Sequence, residues 1–321
     1  MLKFLKKKPK STGRVGLMMQ SDLLTLAYME TRGGAPFLNG VEQVALNYSK
    51  DASAALGKLV KERNLEGTQC SFVLNPKDYS LQLVESPNVE PDELRAAVRW
   101  KIKDLLDMKL DDAAIDVFQV PEDAYRGKEM LYVVASMKSK VKSIVDLVAE
   151  SGLELAVIDI PELVMKNISS AFIDDENGIA LMDLRRTGST MNITKADGLY
   201  LTRRINTQLD PDVMQSPDWE MLKDRLVLEI QRSLDYYESQ MGKSPINKII
   251  LTRRQHDSDA MAASLNELLA ANVGVLDLAA VLDSKEQLTP EQQQIFMPVI
   301  GATLRGIKKQ VKATDDEQVA A

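Results

Sequence analysis

The chain has 321 residues, with 40 Lys plus Arg against 47 Asp plus Glu, a net charge of −7, one His and one Cys. At roughly 100–200 residues per domain, this length suits two domains or one duplicated fold. One cysteine excludes an internal disulfide or a Cys-rich zinc site, one histidine excludes a multi-histidine metal centre, and the acidic balance with 5% aromatics argues against nucleic-acid binding.

No apolar run approaches the ~20 residues of a membrane span. The longest, such as 130–135 and 155–160, have strand length. Residues 1–13 depart from the acidic balance. Lys3, Lys6, Lys7, Lys8 and Lys10 are interleaved with Leu2, Phe4 and Leu5. A secretory signal needs a following apolar stretch. Pro9, Lys10, Ser11, Thr12 and Gly13 follow here, so export is not expected. Leu2, Lys3, Phe4, Leu5, Lys6, Lys7 and Lys8 suit a short contact with an anionic membrane surface, each Lys contributing about 1 kcal/mol. The alternative is a solvated tail.

Residues 14–30 read as two strands around a polar turn, and 178–206 repeat the plan with a hairpin signal at Asp197-Gly198. Two such openings half a chain apart suggest duplicated halves. Between them, Glu90-Pro91-Asp92 opens a helix whose apolar face is Leu94, Val98, Ile102, Leu105 and Leu106. Strands are expected at 114–120 and 129–137, separated by a polar loop. A helix at 140–151 turns Val141, Ile144, Val145 and Val148 inward and closes at Gly152, before a third strand at 153–160. This is a compact α+β unit.

The longest helix is expected at 218–241, with Leu222, Leu226, Ile230, Leu234, Tyr237 and Met241 at helical spacing. A buried strand at 246–252 follows. Then come a helix with Met261, Leu265, Leu268 and Leu269 inward, a strand near 273–278 and a last helix at 299–311. The tail is polar.

Few residues suggest chemistry. His256 follows a strand, but no Gly-x-Ser-x-Gly elbow exists, so an exposed loop histidine is the simpler reading. Cys70 begins an apolar strand and reads as a core residue. The spacing of Asp104, Asp107, Asp111 and Asp112 fits no calcium loop. There is no Walker motif and no Gly-x-Gly-x-x-Gly. Three arginine pairs, Arg185-Arg186, Arg203-Arg204 and Arg253-Arg254, stand at or after strands. Converging, they would bind an anion or acidic partner. Otherwise they are solubilising charge.

Several stretches, in order, resemble the PilM-like, actin-fold assembly proteins of type IV pili, most nearly the MshI branch from mannose-sensitive haemagglutinin (MSHA) pili. They are 93–117, 133–162, Met182-Asp183-Leu184 with Asp197-Gly198 and Thr202-Arg203, 228–237, Ile250-Leu251-Thr252 and 300–305. The resemblance implies an α/β, duplicated actin-like (ribonuclease H-like) fold with an inserted α+β subdomain. The first lobe would span 14–177, with the insertion at about 90–160, and the second 178–311, between a basic tail at 1–13 and a polar one at 312–321.

The family's nucleotide motifs use glycines that let backbone N–H groups approach phosphate, and carboxylates that hold magnesium. This chain departs from them. Its first phosphate turn reads Gly16-Leu17-Met18-Met19-Gln20-Ser21. Met18 replaces the aspartate, Gln20 the glycine and Thr25 the lysine of the family pattern. The second turn keeps Asp183 but has Arg185 for glycine, and Arg253-Arg254 replace a double glycine. The resemblance therefore implies a non-catalytic cytoplasmic scaffold, peripheral to the inner membrane. It would bind the short cytoplasmic N-terminal segment of a PilN-like or MshJ-like membrane protein in a groove near the insertion. No cofactor is expected, with ATP and magnesium disfavoured. The alternative is a weak ATP-binding switch or ATPase using Asp183, Thr187 and Ser189. A third reading, the cytoplasmic part of a type II secretion protein, carries a membrane span that these apolar runs do not supply.

Overall fold

The computed structural model describes residues 13–20, 22–46, 51–186 and 188–307. The membrane-surface candidates at 2–8, Ser21, Thr187 and the C-terminal tail lie outside them.

The chain opens with a meander, Arg14–Gln20 (β1), Leu23–Arg32 (β2) and Ala35–Ala45 (β3), then Ala52–Glu62 (α1) and Gln69–Val73 (β4). Next come Tyr79–Glu85 (β5), Leu94–Lys101 (α2), Ala113–Gln119 (β6), Met130–Met137 (β7), Lys138–Ser151 (α3), Glu154–Asp159 (β8) and Pro161–Phe172 (α4). A second meander follows, Ile179–Asp183 (β9), Ser189–Lys195 (β10) and Gly198–Ile205 (β11). Then come Trp219–Asp235 (α5), Lys248–Thr252 (β12), Ser258–Asn266 (α6), Asn272–Leu276 (β13), Leu278–Val281 (α7), Asp283–Ser284 (β14) and Pro290–Thr303 (α8).

The duplication is explicit in the sheets. One runs β14-β3-β2-β1-β4-β8 and the other β11-β10-β9-β12-β13. In both, an antiparallel meander is followed by two parallel strands, β1 beside β4 and β8, β9 beside β12 and β13. Parallel neighbours need crossover connections, in which α1, α3, α5 and α6 lie. The chain thus has a duplicated, actin-like α/β fold.

The lobes meet over α8. A Cβ on Gly16 of β1 would lie 1.9 Å from the Val299 carbonyl oxygen, and one on Gly301 2.6 Å from Val164 Cγ1 of α4. Small residues at both positions let helix and strand backbones approach, with Val299 and Ile300 fully buried. Each such side chain contributes about 1.5–3 kcal/mol on burial. Gly16, which reads as a remnant of a phosphate turn, is therefore required by packing.

Several expectations are corrected. The inserted sheet has the order β5-β7-β6, whereas β8, expected inside the insertion, pairs in parallel with β4. α3 packs on α1 in the first lobe. The insertion is thus strands 79–85, 113–119 and 130–137 with α2. The turn of the second hairpin is Ala196-Asp197, at φ 47° and 65°, closed by the pair Lys195 and Gly198. A two-residue turn with both central residues left-handed matches strand twist, so Asp197 sits at its second position and Gly198 begins the strand. Leu105 is exposed because α2 stops at Lys101 and a 3₁₀ turn rotates the next residues. Val145 and Leu268 are exposed too. α3 centres its inner face on Ile144, Leu147 and Val148, and α6 ends before Leu268. The long helix becomes a π-helical turn at Tyr236–Gln240, which keeps Tyr237 and Met241 buried. The last helix begins at Pro290, where Thr289 and Gln292 form a reciprocal capping box, and ends at Thr303.

Candidate functional site

The sequence points to two places: the cleft between the hairpins and the surroundings of the insertion. In the cleft, Met18 is buried in the interlobe core and faces Thr25 across β1 and β2. Thr25 Oγ1 donates to the Met18 carbonyl at 3.4 Å, and Gln20 Nε2 reaches Met18 Sδ at 3.7 Å. The side chains of Thr25 and Gln20 are thus turned onto Met18 within the first hairpin.

Asp183 ends β9 with its side chain only 13% exposed. Arg185 Nε donates to Oδ2 at 2.6 Å, and Thr252 Oγ1 donates to Oδ1 at 2.9 Å. Both carboxylate oxygens have internal partners, one a charge-assisted bond. Arg254 is buried at 2% exposure. Its guanidinium donates to the carbonyls of Leu184 at 3.2 Å, Asp210 at 2.5 Å and Pro211 at 3.3 Å. Burial pulls its pKa down, opposed by Asp183, Asp257 and Asp210, yet a guanidinium stays charged in proteins. Arg253 pairs with Asp259 at 3.1 Å and Asp277 at 3.5 Å.

The fold thus gathers Arg185, Arg253 and Arg254 at the ends of neighbouring strands β9 and β12, each with internal acceptors. Arg203 and Arg204 do not join them. Arg203 lies over the Tyr236 ring at 4.9 Å, and Arg204 meets Glu162 at 3.5 Å. His256 is half-exposed, 3.9 Å from Asp212. Cys70 is buried, and burial raises its thiol pKa to about 12. Among the described residues, no group of three or more His, Cys, Asp or Glu is arranged to hold a metal.

The sequence assigns no residues to the groove. A groove of about 560 Å³ lies between β6 and β8, walled by Ile115, Val117, Leu155, Val157 and Ile158. β6 ends the inserted sheet and β8 ends the six-stranded one, so two free strand edges flank it. Asp159 is buried at one end, where Arg305 Nη1 donates to Oδ2 at 2.8 Å and the Ile160 amide donates to Oδ1 at 3.0 Å. Burial raises the Asp159 pKa, with Arg305 opposing. A groove with apolar walls and free backbone edges can take an extended peptide whose alternate side chains fill it. The one sequence signal is the half-buried apolar residues of β6 and β8, which read like any core strand.

No family model and no curated protein matches the sequence. Solved structures do. The PilM–PilN type IV pilus biogenesis complex is similar with a TM-score of 0.68 at 15% identity, covering 94% of this chain and 100% of that chain. The cytoplasmic domain of EpsL, an inner-membrane component of the type II secretion system of Vibrio cholerae, gives 0.49 at 10% identity, covering 90% and 95%. A Bacteroides thetaiotaomicron protein with an actin-like ATPase fold gives 0.48 at 9% identity, covering 86% and 94%. At these identities the likeness concerns the fold.

Proposed function

We propose that this chain is a non-catalytic scaffold of a type IV pilus assembly machine, of the MshI-like kind, working on the cytoplasmic face of the inner membrane. It docks there by holding a short N-terminal segment of a PilN-like or MshJ-like membrane protein in the groove between β6 and β8. The observation that carries this reading is the groove itself: apolar walls between two unpaired strand edges of different sheets. A segment lying there as an extra strand would satisfy its backbone on one edge and bury alternate side chains. A PilM–PilN complex is among the solved structures alike in fold, which supports a partner of this kind. The MshI-like assignment rests on the ordered sequence stretches alone. Among the described residues no helix is long and apolar enough to cross a membrane. Residues 2–8 would add a weak contact with anionic lipid.

The cleft supports the non-catalytic half of the proposal. An ATP-driven switch would need Asp183 free for magnesium, whereas Arg185 and Thr252 hold both its oxygens. Co-expression with the membrane partner tests the reading. Ile115→Asp and Val157→Asp should abolish co-purification while the protein stays folded by circular dichroism. Arg185→Ala and Arg253→Ala should retain it. The opposite pattern would move docking to the cleft.

A further inference from the structure

The insertion belongs to the first lobe by connectivity, since it interrupts the path from β4 to β8. Its packing reaches both lobes: Tyr79 is part of the first lobe's core, with Val134 packed against it, and other residues cross to the second lobe. Val120, Ala124 and Tyr132 are part of the core cluster of the second lobe, with Leu81, Leu83 and Phe118 packed against it. Polar contacts follow the same line. Asp123 accepts from Lys243 Nζ at 2.6 Å and from the Tyr200 hydroxyl at 2.7 Å. The hydroxyls of Tyr125 and Tyr236 lie 3.3 Å apart. The Thr202 amide of β11 donates to the Tyr132 hydroxyl at 3.1 Å. A Cβ on Gly198 would lie only 2.7 Å from Pro121 Cγ, so loop and hairpin are in close contact. From the second lobe, Arg204 donates to the Pro76 carbonyl at 3.2 Å and lies over the Tyr79 ring at 5.0 Å.

We infer that the inserted sheet is a strap that fixes the angle between the two lobes. A two-lobed fold opens and closes by rotation about its connections, and such hinge motion needs few contacts to break at once. Here rotation would have to pull an apolar face out of the second lobe's core and break the Asp123, Tyr125 and Tyr132 contacts together. Packed interfaces of this kind rest in discrete arrangements instead of deforming gradually. The strap does not depend on what the groove binds, and its test uses neither partner nor nucleotide.

The interlobe distance tests it. Lys61→Cys in the first lobe and Glu267→Cys in the second, both exposed, would carry spin labels. Cys70 is buried and stays unlabelled. Double electron–electron resonance should give one narrow distance distribution. Asp123→Ala with Lys243→Met and Leu83→Ala should at least double its width or add a longer population. Should that variant not fold, Asp123→Asn with Tyr125→Phe is judged by the same criterion. Lys128→Ala, which loses only a surface pair with Glu85 within the insertion, should change nothing. A broad distribution in the unmodified protein, or an unchanged narrow one in a folded strap variant, overturns the inference.

Discussion

Arg185 Nε lies 2.6 Å from Asp183 Oδ2, two residues away around the turn after β9. Arg185 stands where the resemblance expects a phosphate-binding glycine, and it thus neutralises the carboxylate that the ATPase reading assigns to magnesium. Thr252, from the neighbouring strand, closes the other oxygen at 2.9 Å. ATP–Mg should therefore bind more weakly than about 1 mM by isothermal titration. Micromolar affinity would refute the occupied-cleft account.

Arg254 is structural in this account. Arg254→Ala takes the guanidinium away from the buried Leu184 carbonyl and the part-buried carbonyls of Asp210 and Pro211, and should cost about 1–3 kcal/mol in chemical denaturation. Arg253→Ala removes pairs with exposed partners and should cost under about 1 kcal/mol. Equal effects would mean that Arg254 does not hold the loop.

Gly16 provides a packing test. A Cβ there meets the Val299 carbonyl at 1.9 Å, so Gly16→Ala should destabilise by about 3 kcal/mol. Gly274→Ala meets only Ile250 Cδ1 at 3.6 Å and should be tolerated in the same melt. Tolerance at Gly16 would show that α8 can move away from β1.

Asp159 sets a pH dependence. Its pKa is raised by burial, so the folded state keeps its proton longer than the unfolded chain. Stability contributed by the protonated form is complete below about pH 3.9 and is lost as pH rises to the folded value. Arg305→Ala removes the opposing cation, extends that loss to higher pH and should cost about 2 kcal/mol at pH 7, less than a fully buried pair because Arg305 is half-exposed. Asp159→Asn should flatten this part of the profile. Melts across this range check both.

Much of the fold is legible in the chain. Alternation around 14–30 and 178–206 marks both hairpins, and their repetition marks the duplication. The last helix was misplaced because Gln292, Gln293 and Gln294 mask its apolar face, while the Thr289 capping box needs geometry to recognise. The boundary of the insertion was misplaced because β8 has the same apolar character whichever sheet it joins. The replaced cleft residues could be read off, but the contact of Thr252 with Asp183 joins residues far apart in the chain. The groove is hidden for the same reason, since Ile115 and Val157 line one groove only once both sheets are assembled.

The most direct test of the scaffold reading is a fluorescence titration with a labelled peptide. The peptide carries the cytoplasmic N-terminal segment of a PilN-like or MshJ-like membrane protein, the partner class proposed above. The account predicts saturable binding to the unmodified protein, at least a tenfold loss in Val157→Asp, and no change in Arg185→Ala or on adding ATP–Mg. Unchanged binding to Val157→Asp together with loss in Arg185→Ala would contradict it and place the partner in the cleft.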